Sequence, residues 1–230
     1  MVREVGVQRA AWGGVGVVGV AVAVVLGLEV RYADEVNPWR RTISEHGLGP
    51  DGWLFGAAVG LVAAGSAVIA VSLVRRRIAA AFSVGTLALV TWCVGLAVVA
   101  VFPKHDWSVG PSLGGTIHRV GSVMAFVSLP IAALLISRRA WRLPLGRVVA
   151  WLGLGSSLWV VGITGVMAVA SWQGLPWWRA MPLGLVERGL VVTEIVTLLA
   201  LGVWAAARPA PRAAPEAVGV PGGQGATSRS

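Results

Sequence analysis

A chain of 230 residues that is 56% hydrophobic and only 13% charged is not a water-soluble domain, which carries roughly 25% charged residues. Its formal charge of +9 does not mark a nucleic-acid partner: the basic residues sit in short clusters between apolar runs, and no nucleic-acid module is recognisable. The only cysteine, Cys93, lies inside an apolar run, which excludes an internal disulfide and a thiolate metal cage.

The first apolar run covers residues 11–30, after Arg3 and Arg9. It is too long for a signal-peptide core and no clean small-x-small cleavage site follows, so it reads as a retained transmembrane helix. Residues 31–51 form a polar loop, in which Pro50-Asp51-Gly52 is a turn into a helix with Asp51 as the expected N-cap. The second span is 52–74, with Gly52, Gly56 and Gly60 on one face for close helix packing. Arg75, Arg76 and Arg77 end it.

The third span is 79–102, stopped by Pro103, and a Gly/Pro/Ser-rich loop covers 104–116. The fourth is 117–137, with Pro130 tolerated inside it as membrane helices allow. Arg138, Arg139, Arg142 and Arg147 follow. The fifth span is 148–171; its exit loop holds Pro176-Trp177-Trp178-Arg179, an interfacial anchor. The sixth is 185–207, and residues 208–230, rich in Pro, Ala, Gly and Ser, are expected to form a disordered tail. The expected fold is all-α: a six-transmembrane-helix bundle spanning 1–207.

Orientation follows from Lys and Arg. With both termini cytoplasmic, that side holds 12 of the 19 basic residues but two of the ten acids. The other face collects most acids and all three histidines, His46, His105 and His118. Trp39, Trp53, Trp107, Trp172, Trp177 and Trp178 fit an aromatic belt there. The expected location is therefore the cell membrane, with the lipid bilayer as the surrounding partner.

Three stretches reach this outer face: Ser44-Glu45-His46, Asp106 with His118-Arg119, and Glu187-Arg188. They are expected to converge, because charges at helix ends must face inward and pair. A carboxylate–arginine contact should tie the sixth helix to the fourth or to the first loop. Glu194 lies roughly 14 Å inside its helix, near the middle of a hydrocarbon core about 30 Å thick. It is a candidate proton-handling carboxyl or a structural one. His105, Asp106 and His118 match no standard metal spacing, so no metal site is assigned and no cofactor follows.

Three segments carry a resemblance: Arg41-Thr42-Ile43-Ser44-Glu45-His46-Gly47-Leu48-Gly49-Pro50-Asp51-Gly52-Trp53; Phe102-Pro103 and Asp106 with Gly115-Thr116-Ile117-His118-Arg119; and Gly184-Leu185-Val186-Glu187-Arg188-Gly189-Leu190. Together, over about residues 10–207, the chain resembles a bacterial and archaeal membrane family catalogued as domain of unknown function 998. It is more remotely similar to the Frag/DRAM/Sfk-type six-helix membrane proteins. A looser likeness to alkaline-ceramidase-type hydrolases lacks their paired histidines. These likenesses imply the fold and the residues of interest, not an activity.

Three functions compete. The first is an enzyme acting on a lipid-like substrate at the outer face, with Asp106, His118 and Glu187 as acid/base groups. Arg119 or Arg188 would then clamp an anion, and Ser44, Glu45 and His46 would border the substrate. The second is a non-catalytic structural, sensory or partner-binding protein in which the same residues lock the helices. The third is an isoprenoid cyclase, with Glu194 or Glu187 as proton donor and mid-helix Trp92 and Trp159 facing the cation.

Overall fold

The computed structural model describes residues 2–207; the expected tail, 208–230, lies outside them. Among the described residues there are seven α-helices and no strand: α1 (Val2–Arg31), α2 (Gly52–Arg75), α3 (Val84–Val101), α4 (Leu113–Ser137), α5 (Pro144–Trp172), α6 (Trp177–Ala180) and α7 (Leu183–Ala206). A 3-10 turn, Ile43–Gly47, sits in the first loop. Six helices, all but α6, are long and apolar enough to cross a membrane. In lipid a helix satisfies all its own backbone polar groups, which is why such apolar runs fold this way.

Helix boundaries differ from the expected ones for local reasons. Ser83 caps α3, its Oγ accepting from the Thr86 N–H at 3.2 Å, so α3 starts later than residue 79. Ser112 caps α4, accepting from the Gly115 N–H at 3.0 Å, so α4 starts before residue 117. Pro144 opens α5 in the first turn, where its missing N–H costs nothing. Asp51 does not cap α2; its carboxylate accepts from Tyr32 Oη at 2.8 Å and pairs with Arg31 at 3.0 Å.

The six spans pack in chain order, α1 on α2, α2 on α3, α3 on α4, α4 on α5 and α5 on α7, and α7 closes the ring against α1. α7 also touches α2 and α4, which makes it the most central helix. Small residues set the close crossings. A Cβ at Gly95 of α3 would lie 2.7 Å from the Gly121 carbonyl of α4, and one at Gly65 of α2 would lie 2.9 Å from the Gly14 carbonyl of α1. The glycine stripe expected on α2 divides: Gly56 and Gly60 meet Ala100 of α3, whereas Gly52 meets the 3-10 turn. The interior is filled by residues such as Ile69, Leu73, Leu89, Leu129, Leu198 and Leu201. Trp92 joins them, donating to Ser66 Oγ at 2.9 Å.

This antiparallel arrangement gathers the starts of α2, α4 and α7 with the ends of α1, α3 and α5. That face, the polar end, carries the 3-10 turn and the loop after α3. The opposite end carries the arginine clusters at 75–77 and 138–147.

Candidate functional site

The centre of the polar end is Arg188, in the second turn of α7. Its guanidinium grips Glu29 at the end of α1, with Nη2 2.8 and 2.9 Å from the two carboxylate oxygens. Its other terminal nitrogen donates to the carbonyls of Pro38 at 2.9 Å, Arg41 at 2.6 Å and Gly184 at 3.1 Å. The planar fork of an arginine is suited to such divergent bonding. Gly184 has no side chain because a Cβ there would run into the carbonyls of Pro38 and Arg41. Beside Arg188, Glu187 accepts from the Ile43 N–H at 2.7 Å. Two successive residues of α7 thus hold the first loop at Pro38, Arg41 and Ile43.

The rest of that loop is tied from the other side. Lys104 donates to Thr42 Oγ1 at 2.9 Å and pairs with Glu45 at 3.2 Å. Glu45 also pairs with Arg41 at 3.1 Å. The Thr42 and Ser44 hydroxyls are 3.1 Å apart. Buried His46 places Nε2 3.2 Å from Glu29.

Between α2 and α3, beneath this loop, lies a pocket of about 260 Å³. Ser44, Lys104 and His118 are its polar lining; Phe55, Gly56 and Ala100 are among its apolar walls. Trp53, Ala57 and Val101, also lining it, are exposed, so it opens sideways on the apolar surface as well as beneath the loop. His118 Nδ1 is 2.7 Å from the Phe102 carbonyl. A carbonyl only accepts, so Nδ1 carries a proton, and in the neutral ring Nε2 is the acceptor nitrogen.

The family model described as "Protein of unknown function (DUF998)" matches residues 15–204. The chain belongs to this family. The match runs from within α1 to near the end of α7, and so takes in the polar end and pocket together. No curated protein and no solved structure matches the chain.

Not every expected residue of this DUF998 bundle joins the cluster. Asp106 turns back on its own loop, accepting from the Ser108 N–H at 2.9 Å and Oγ–H at 2.6 Å. Those bonds hold its carboxyl below the usual carboxylate range, the Ser108 hydroxyl most of all. Because the folded-state value is depressed, the loop is held at neutral pH and released as acid titrates Asp106. Protection of the residue-108 amide, its exchange measured against the intrinsic rate at the same pH, should therefore fall as pH drops below the ordinary carboxylate range, and in Ser108→Ala at neutral pH; protection that does not change with acid would contradict this. Arg119 is exposed and has no ion pair among the described residues. The expected carboxylate–arginine contact exists, but it joins α7 to α1 through Glu29. Among the described residues, Arg188 reaches the first loop only by carbonyls and has no bond to α4.

The mid-helix aromatic residues do not meet. Trp92 is buried on α3, whereas Trp159 of α5 lies partly exposed against Gly189 of α7. Trp159 lines an apolar groove of about 530 Å³ with Leu158 and Val186, and neither Trp92 nor Glu194 lines it. Glu194 is fully buried in the middle of α7. Among the described residues no three His, Cys, Asp or Glu side chains are grouped for a metal ion. Glu29 and Tyr32 were missed in the sequence; the available signal was an acid at the very end of an apolar run.

Proposed function

We propose that this multi-pass membrane protein is an enzyme acting on a lipid-like substrate in the pocket between α2 and α3. His118 Nε2 serves as the acid/base and the Ser44 hydroxyl contacts the reacting headgroup. The single observation that supports this is the state of His118: its tautomer is fixed by Phe102, and its acceptor nitrogen belongs to a residue lining a sideways-opening pocket. An amphiphile entering there places its chains along the apolar rim and its headgroup near Ser44 and Lys104. A positioned general acid/base contributes roughly 10²–10⁴-fold to rate. His118→Gln and Ser44→Ala should therefore leave the fold intact while one lipid class accumulates in lipidomic comparison of membranes from cells expressing each form. Identical lipid profiles with equal protein levels would contradict the proposal.

Glu29, Glu187 and Arg188 take a different role, as a structural clamp. The observation favouring this is that Arg188 spends its donors on Glu29 and on three backbone carbonyls, which leaves no open fork for an anion. The cyclase alternative gains nothing comparable, because its proton donor and its aromatic walls line no common pocket.

The same reading places the protein in the cell membrane with both termini cytoplasmic and the polar end outside, on the bias of arginine toward the opposite end. In a Cys93→Ser background, single cysteines at 108 and 174 should react with an impermeant thiol reagent on intact cells. Reaction only after lysis would reverse the orientation.

A further inference from the structure

The middle of the bundle holds a second feature, separate from the pocket and independent of the reading given for it. Glu194 and Ser156 are both fully buried, and neither carboxylate oxygen nor the serine hydroxyl has a hydrogen-bond partner among the described residues. Two contacts fix the register of the helices that carry them. Gly155 of α5 lies against Thr193 of α7, and Gly189 of α7 lies against the Trp159 ring of α5. Residues 155 and 193 are therefore level on antiparallel helices.

The next residue on each helix turns by about 100°. Because the helices run in opposite directions, Ser156 and Glu194 turn to the same side of the seam. Gly153 on α5 faces Ala133 and Leu134 of α4, and Gly202 on α7 faces Val15 of α1 and Ile69 of α2. Ser156 and Glu194 point between those contacts, into the interior. Their heights differ by two residues, about 3 Å.

No counter-charge is available there. The facing stretches 10–28 of α1, 53–74 of α2, 120–137 of α4 and 148–172 of α5 contain no titratable residue. Toward the polar end the titratable groups are Glu187 and Arg188 on α7 itself, Glu29 at the end of α1 and His118 at the start of α4. The closest of these along α7, Arg188, is six residues away, about 9 Å, and is already committed to Glu29. An unpaired carboxylate in such surroundings is too costly to persist. Two carboxyl oxygens and one hydroxyl also fall well short of the roughly six oxygens a hard metal cation takes. The ligand these atoms can hold is a proton.

We propose that Glu194, with the Ser156 hydroxyl turned to the same side of the seam, is a reversible proton-binding site at the midpoint of the membrane. The proton adds to one carboxylate oxygen and leaves to water.

The test uses the full chain in lipid nanodiscs. Infrared difference spectra should show a carboxylic-acid C=O band that is absent from Glu194→Gln and lost as pH is raised. Dicyclohexylcarbodiimide, which attacks protonated carboxyls in apolar surroundings, should label Glu194 by peptide mass spectrometry, with labelling falling as the band is lost. A band that stays unchanged at every pH at which the protein remains folded would overturn the proposal, leaving a permanently neutral structural carboxyl. A band that survives in Glu194→Gln would overturn it as well. If Glu194→Gln fails to fold, the pH dependence of wild-type labelling at Glu194 decides: labelling that falls with rising pH supports the site, and labelling that is absent or pH-independent refutes it.

Discussion

Arg188→Ala should cause the largest loss of stability of any single change at the polar end, seen as a fall in apparent melting temperature in detergent. The substitution removes all three bonds to Glu29 and the donors to the Pro38, Arg41 and Gly184 carbonyls. The Arg188 and Glu29 side chains are only 16% and 23% exposed, so the carboxylate, left with His46 alone, gains little from water. Breaking one side of a buried pair costs about 3–5 kcal/mol. Arg188→Lys keeps the charge but not the fork, and should fall between wild type and alanine. Unchanged melting in Arg188→Ala would mean that the loop is held by Glu187 and Lys104 alone.

The α3–α4 crossing should show the second large effect. A Cβ at Gly95 would stand 2.7 Å from the Gly121 carbonyl and 2.8 Å from the Ala125 nitrogen. Both are backbone atoms, so nothing yields unless the helices part. Gly95→Val should therefore destabilise by about 1–3 kcal/mol or more, the ordinary cost of overpacking. Gly162 of α5 offers the opposite case, since a Cβ there meets nothing within 4 Å. Gly162→Ala should be neutral or stabilising by up to about 1 kcal/mol, from helix preference alone. Equal melting of the two variants would contradict this packing.

The six spans were legible because each is a long apolar run bounded by Arg, Pro or Gly. Their ends were less so, because Ser83 and Ser112 cap from positions that read equally well as loop. The convergence at the polar end was legible in outline, since helices two, four and six of the sequence must start on one face. Its pairings were not. His118 and Arg119 read as a unit, yet adjacent helical residues point about 100° apart, so the buried histidine sends the arginine outward. Asp106 had a partner two residues away in Ser108, the short-range bonding typical of aspartate in turns, and so had no need of the cluster. Glu29 escaped notice because it ends an apolar run. Nothing in the sequence reveals which of two spaced tryptophans, Trp92 or Trp159, sits on a helix that faces the interior.

The most direct test of the proposed site is a high-resolution structure of the protein in lipid. Density for a headgroup within hydrogen-bonding distance of His118 Nε2, with chains running out past Ala57 and Val101, is the expected result. A pocket closed by Phe55 and Val101, with His118 Nε2 bonded to a group of the protein itself, would contradict it and leave the polar end as a structural clamp.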